Sequence, residues 1–164
     1  MCSSDLEYST YWAQRWSDLL QVDKDTVAPE GAVAMTRWIH SRIAANVPFD
    51  QFVREILTAQ GSTLSESAAG FYQVQETPEK LARSVSQLFL GVRLECAQCH
   101  HHPFEKWDQA DYFGFAGLFT GVDRKAVPGG GQKITGRAGA EIGRAHVELQ
   151  SPDHLVCRLL LEKK

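Results

Sequence analysis

The chain has 164 residues, of which 43% are hydrophobic and 23% are charged; this balance excludes a wholly disordered chain and fits a single globular domain. Its 17 Lys and Arg residues against 20 Asp and Glu residues give a formal net charge of −3, which disfavours a nucleic-acid-binding protein. The sequence predicts no transmembrane helix, because no apolar run approaches about 18 residues, and its first residues lack the basic and apolar regions of a signal peptide.

The two ends of the chain match translated sequencing adapters. Residues 141–164 correspond to a common short-read adapter followed by adenines, and residues 1–6 correspond to the inner end of its partner. Two matches in the expected orientation disfavour the alternative of a leucine-rich C-terminal helix, and such scars carry no information about the fold. We therefore expect an internal fragment of a longer protein, with a helical domain at 7–122 and a linker or truncated remainder at 123–140.

Three amphipathic helices are predicted in the first half of the domain. The first has an aromatic face that is most simply core, formed at helical spacing by Tyr8, Tyr11, Trp12, Arg15, Trp16 and Leu19. After a loop at 23–31, the second covers Ala32 to Ala45, and its buried side consists of Met35, Trp38, Ile39, Arg42 and Ile43. The third runs from near Pro48 to Gly61 and buries Phe49, Phe52, Val53, Ile56 and Leu57. A mobile loop is expected at 62–70.

Two more helices and an irregular tail are predicted in the second half. Thr77, followed by Pro78 and Glu79, is a strong helix start, and Asp108 can cap the last helix. Beyond Thr120 the helical pattern gives way to glycines and scattered charges. The fold class expected is mainly α: a small domain of about five helices, with a Cys-x-x-Cys-His loop between the last two and an irregular Gly-rich C-terminal segment.

The residues that could bind a cofactor or a metal ion are concentrated in one segment. Outside the adapter matches, Cys96 and Cys99 are the remaining cysteines, and three histidines, His100 to His102, follow them directly. Cys-x-x-Cys-His is the spacing of covalent c-type haem attachment, in which two thiols add to the haem vinyl groups and the next histidine is the axial iron ligand. On this interpretation Cys96 and Cys99 anchor haem c and His100 binds the iron.

The haem interpretation makes two further expectations. Met35 and His40 are the candidates for a sixth iron ligand, although both are ordinary helix residues by pattern. An apolar wall around the haem is expected from the aromatic residues downstream of the motif, which are Phe104, Trp107, Tyr112 and Phe113.

A zinc site is the main alternative for the same residues. Its ligands would be Cys96, Cys99, His100 and His102, with Glu105 and Asp108 as other candidates for the fourth position. A thiol redox pair fits less well, because no βαβ pattern surrounds the cysteines. A purely structural pair of buried thiols is disfavoured by the five matched motif positions. Spacing alone leaves haem and zinc open.

Three ordered blocks of the sequence resemble the planctomycete cytochrome-associated domain of unknown function. The blocks are YWAQRWSDLL, TRWIHSRIAANVPFDQFVREILTAQG and GVRLECAQCHHHPFEKWDQADYFGFAGLF, and the resemblance spans about Tyr8 to Val122. The family's Cys-x-x-Cys-His-x-His-Pro pattern falls on Cys96, Cys99, His100, His102 and Pro103. The resemblance implies a large exported protein of the periplasm or cell envelope, often with c-type cytochrome domains beside this one, and it implies no established activity.

The function expected from these observations is a c-type haem-binding, electron-transfer-associated domain of a larger exported protein. The alternative is a structural or interaction module stabilised by zinc at the same cluster. Expected partners are c-type cytochrome domains and the remainder of the same polypeptide. No catalytic constellation is identifiable from spacing, so an enzymatic role is neither predicted nor excluded.

Overall fold

The computed structural model describes residues 3–128 and 131–136, so the adapter interpretation of residues 141–164 lies outside the described residues. Within those two ranges the α-helices are α1 (Ser3–Leu19), α2 (Lys24–Val27), α3 (Pro29–Ala44), α4 (Phe49–Thr58), α5 (Gly70–Val74), α6 (Pro78–Phe89) and α7 (Gln109–Gly117). The remaining elements in these ranges are two 3₁₀-helices, η1 (Ser67–Ala69) and η2 (Leu94–Gln98), and three strands, β1 (Gly61–Ser62), β2 (Val122–Ala126) and β3 (Gln132–Gly136). The mainly helical prediction is confirmed, and the short helices α2 and α5 are additional to it.

Helix α1 packs on α3 through small side chains rather than aromatic ones. Ser9, Ala13 and Ser17, which lie four residues apart on one helix face, are buried. The prediction of an aromatic core face is wrong for the first part of the stripe, since Tyr8 is 61% exposed and Tyr11 and Trp12 are exposed as well. Small residues allow the two helices to approach closely, and the bulky rings therefore lie on the opposite side.

The hydrophobic core is formed mainly by α3, α4, α5 and α6. Most of the residues predicted to be buried in the first half are buried, among them Met35, Ile39, Phe52, Val53, Ile56 and Leu57, and Leu81 and Val85 of α6 are buried as well. Phe49 was predicted in this set but is 51% exposed, because it is the first residue of α4. Its ring contacts the edge of the core at Trp16 and Phe89, with ring centroids 5.8 and 6.4 Å apart.

The segment that follows α4 is part of the core. Residues 62–70 were predicted as a mobile loop, but Ala68, Ala69 and Gly70 are buried and lead directly into α5. A Cβ atom at Gly70 would lie 3.0 Å from Met35 Sδ, so a larger residue there would require the Met35 side chain to shift. Small residues indicate a loop by composition alone, whereas here they allow the chain to pass through the interior.

A small antiparallel sheet replaces the irregular C-terminal segment that was predicted. Its strand order is β1-β3-β2, and Gly61 pairs with Ile134 while Arg124 also lies opposite Ile134. The Arg124 side chain joins the sheet to α5, because Nε donates to the Tyr72 carbonyl (2.9 Å) and Nη2 donates to the Gln75 carbonyl (2.8 Å). Ile134 is fully buried.

The two predicted helix starts in the second half are confirmed. Thr77 Oγ1 accepts a hydrogen bond from the Lys80 amide at α6, with Pro78 as the first helical residue. At α7, Asp108 accepts from the Asp111 amide and its own amide donates back to the Asp111 carboxylate. None of the helices in the described ranges is long and apolar enough to cross a membrane.

Candidate functional site

The two motif cysteines lie on one turn of η2. Leu94 and Ala97 are buried and fix this turn on α6 and α7, whereas Cys96 and Cys99 are exposed free thiols. In a 3₁₀-helix, side chains three residues apart eclipse one another. Cys96 lies within η2 and Cys99 directly follows its last residue; this spacing favours two thiols on one side of the turn, and both are exposed to solvent.

The His100 ring is oriented by the main chain. Its Nδ1 lies 2.6 Å from the carbonyl oxygen of His101. A carbonyl oxygen only accepts hydrogen bonds, so Nδ1 must carry the hydrogen. In the neutral ring this leaves the lone pair on Nε2, which is the usual arrangement of a histidine that binds a metal through Nε2.

His102 is oriented in the opposite sense. Its Nδ1 accepts hydrogen bonds from the amides of Phe104 (3.3 Å) and Glu105 (3.0 Å). Its own amide donates to the Trp107 carbonyl at 2.8 Å. The imidazole therefore closes the turn that carries Pro103 and Phe104.

The loop between η2 and α7 is closed at its base by a glutamine. Gln109 Nε2, in the first turn of α7, donates to the Gln98 carbonyl at the end of η2 (2.8 Å). Together with the contact between His102 and Trp107, this bond fixes the two ends of the loop relative to each other. Sequence reasoning missed Gln109, since a glutamine that binds a distant carbonyl leaves no local pattern.

Tyr112 lies beneath the cysteine turn and stays neutral. Burial raises the pKa of its phenol, and the nearby carboxylates of Glu79 and Glu95 raise this pKa further. Glu95 also forms an exposed ion pair with Arg83 at 3.2 Å, which links η2 to α6. Tyr112 is thus a neutral neighbour of Cys99.

The structure brings some predicted site residues together and separates others. Cys96, Cys99 and His100 lie on one continuous turn, whereas Asp108 uses its carboxylate to cap α7. Among the residues that the structure describes, no group of three or more His, Cys, Asp or Glu side chains is arranged to hold a metal ion. Phe104 is 90% exposed and Phe113 is exposed, while Tyr112 is buried and Trp107 is half-buried.

The two candidate sixth ligands lie on α3 and are engaged there. Met35 is fully buried and its sulfur packs against Gly70. His40 is half-buried, and its Nε2 lies 3.2 Å from Ser9 Oγ of α1. Helix α3 packs mostly against α1, whereas the cysteine turn packs against α6 and α7.

The comparisons with known proteins show the family to which this chain belongs. The family model described as PSCyt2, protein of unknown function (DUF1549), matches residues 3–124, from the start of α1 to the middle of β2. No curated protein and no solved structure matches the chain. The match covers most of the chain and includes the whole Cys-x-x-Cys-His turn, so the chain belongs to the PSCyt2 family, a planctomycete cytochrome-associated domain of unknown function.

Proposed function

We propose that this chain is a c-type haem-binding, electron-transfer-associated domain of a larger exported protein. In this proposal Cys96 and Cys99 would hold the haem through thioether bonds, and His100 would bind its iron. The observation that carries it is the orientation of the His100 ring, whose Nδ1 donates to the His101 carbonyl and leaves Nε2 with a lone pair for iron.

The positions of the two thiols support two-point attachment. Both are free and exposed, one within η2 and the other directly after it, so both can be reached from solvent. Each thiol would add across a vinyl double bond, with its sulfur binding one carbon and its hydrogen going to the other, so the additions need no oxidant and release no leaving group.

The exposed aromatic side chains next to the turn support an apolar cofactor. Phe104 is almost fully exposed and Phe113 is half-exposed, so both rings offer apolar surface that the described part of the chain does not cover. A bound c-type haem supplies one-electron oxidation and reduction. We therefore propose c-type cytochrome domains, and the remainder of the same polypeptide, as partners in an exported setting, as the family resemblance implies.

Zinc is the outcome that competes with haem in the test. A zinc site would use Cys96, Cys99, His100 and His102. For His102 to bind through Nε2 as a neutral ring, the hydrogen bonds that its Nδ1 accepts from Phe104 and Glu105 must break. The haem proposal needs no such rearrangement, and for this reason we place it first.

The test is expression of the full chain in an export compartment with c-type haem maturation enzymes. We expect about one covalent haem per chain, measured by haem staining of a denaturing gel, and a reduced-minus-oxidised spectrum of a c-type cytochrome. Single Cys96→Ser and Cys99→Ser variants should each keep at most one thioether, and the double variant should keep none. His100→Ala should change the axial-ligand bands.

Matched controls are available in the same chain. Cys2→Ser and Cys157→Ser, at positions outside the described residues, should leave haem attachment unchanged. His101→Ala should leave the axial-ligand bands unchanged, since only the backbone carbonyl of His101 contacts His100. Covalent haem that persists in the Cys96/Cys99 double variant contradicts the proposal. Colourless wild-type protein with about one zinc per chain, as in a closed structural site, would replace it with the zinc alternative.

A further inference from the structure

One peptide group of the site loop is held from both sides. The carbonyl oxygen of His101 accepts from His100 Nδ1 at 2.6 Å, and the amide of His102, in the same peptide unit, donates to the Trp107 carbonyl at 2.8 Å. A peptide unit is planar, so its oxygen and its N–H group cannot turn independently. The contact with Trp107 therefore fixes the direction from which His101 binds the His100 ring.

The His102 side chain stabilises the turn that returns to Trp107. Its Nδ1 accepts from the amides two and three residues ahead, Phe104 and Glu105. This is the geometry in which an Asn or Asp side chain closes a turn onto its own backbone. The imidazole is half-buried, and Pro103 directly follows it with no amide hydrogen to donate.

The hydrogen bonds also determine which nitrogen of His102 has a lone pair. Two backbone amides donate to Nδ1, so in the neutral ring the hydrogen lies on Nε2. His100 has the opposite tautomer, with its hydrogen on Nδ1. The main chain thus favours opposite tautomers in these two histidines, with the lone pair on Nε2 in His100 and on Nδ1 in His102.

We infer that His102 is a positioning residue of the site rather than a ligand. Its Nδ1 holds the turn from Pro103 to Lys106, and this turn places the Trp107 carbonyl where it accepts the hydrogen bond from the His102 amide. The peptide unit between His101 and His102 then orients the His100 ring towards the group attached at Cys96 and Cys99. The identity of that group rests on the proposed function. The stabilisation of the turn by the imidazole does not depend on it and is present in the chain without cofactor.

The experiment compares three substitutions of His102 in the full chain. In His102→Asn the amide oxygen can occupy the place of Nδ1, in His102→Gln the polar end reaches the place of Nε2, and His102→Ala removes both. Amide hydrogen exchange at Phe104 and Glu105, followed by NMR without cofactor, reports on the two hydrogen bonds directly. We expect exchange about two- to tenfold faster in His102→Ala and His102→Gln, as for the loss of one net hydrogen bond, and close to wild type in His102→Asn.

The neighbouring histidine provides the matched control. The His101 side chain is exposed, so His101→Ala should leave exchange at Phe104 and Glu105 unchanged. Unchanged exchange in His102→Ala would overturn the inference. Faster exchange in His102→Asn, equal to that of His102→Ala, would overturn it as well.

A second readout uses the chain after haem maturation. We expect His102→Asn to keep the wild-type axial-ligand spectrum and reduction potential, and His102→Ala and His102→Gln to shift both while covalent haem stays attached. Equal changes of the axial-ligand spectrum and the reduction potential in His102→Asn and His102→Ala would show that His102 is a ligand and would overturn the inference. If no variant and no wild-type chain attaches haem, the proposed function fails, and the exchange measurement still decides the role of His102.

Discussion

Two short segments of this chain, α5 and the loop from Cys99 to Asp108, are each held in one conformation by opposite means. In α5 the side chains of Phe71 and Tyr72 are fully buried, and packing fixes the backbone. In the loop the side chains of Cys99, His100 and Phe104 are exposed, and hydrogen bonds to main-chain groups fix the backbone. Of these two segments, α5 therefore contributes more to the stability of the fold, while the order of the site loop depends on local polar contacts.

The largest expected difference comes from removing one phenylalanine ring in each segment. Phe71→Ala leaves a cavity in the core and should lower the free energy of unfolding by about 3–5 kcal/mol, whereas Phe104→Ala, at a 90% exposed position, should change it by less than about 0.5 kcal/mol. Urea denaturation followed by circular dichroism measures both. Similar losses in the two variants would remove the contrast between core and loop.

An intermediate effect is expected at the residue that joins the sheet to α5. Arg124→Ala removes the donors for the Tyr72 and Gln75 carbonyls and should lower the free energy of unfolding by about 1–3 kcal/mol. Arg124→Lys is the matched variant: it keeps the charge but not the planar pair of donors, so it should recover only part of this loss. Full recovery by lysine would show that charge, not the two directed hydrogen bonds, is what matters. Thermal unfolding of the two variants alongside wild type provides the comparison.

The smallest effect concerns the phenol of Tyr72, which donates to the Leu57 carbonyl at 2.6 Å. Tyr72→Phe should lower the free energy of unfolding by about 1 kcal/mol at neutral pH, because the buried carbonyl loses its partner. Burial raises the pKa of Tyr72 above its unfolded value. The neutral phenol of Tyr72 therefore contributes its full stabilisation below pH of about 10, the pKa of tyrosine in the unfolded chain. This contribution is lost as the pH rises further, towards the pKa of Tyr72 in the folded state.

Stability measured from neutral pH into the alkaline range checks this expectation. Wild type should lose stability above pH of about 10 more steeply than Tyr72→Phe does. Tyr8→Phe, at an exposed position on α1, serves as the control and should follow the wild-type curve. Parallel curves for wild type and Tyr72→Phe would contradict the assignment.

Sequence was sufficient where structure depends on neighbouring residues. Thr77 and Asp108 were predicted as helix caps, and both act as caps, because a cap binds amides within the next three residues. The buried face of α3 follows equally directly from the spacing of Met35 and Ile39.

Sequence was insufficient where structure depends on distant residues. Periodicity divides α1 into two faces but does not say which of them meets α3, and the small residues Ser9 and Ala13 proved to be buried instead of Tyr8. The strands were missed because VDRKA and QKITG lack an alternating apolar pattern.

For the site, spacing predicts Cys96, Cys99 and His100 as a unit; Cys96 lies in η2, and Cys99 and His100 directly follow its last residue. In the zinc alternative, spacing also treats His100 and His102 as equivalent ligands. In the structure they differ in the main-chain groups that each Nδ1 contacts, and these contacts depend on the fold of the loop. A motif therefore specifies the elements of a site, while the tautomers of its histidines have to be taken from coordinates.

The pairing of β1 with β3 has a consequence for the order of folding. Three α-helices, α5 to α7, separate these strands along the chain, so bringing Gly61 and Ile134 together closes a long loop and costs chain entropy that local helix formation does not. The helical body is therefore expected to assemble before the sheet. Substitutions at Ile134 should then accelerate unfolding more than they slow refolding, which stopped-flow kinetics would register.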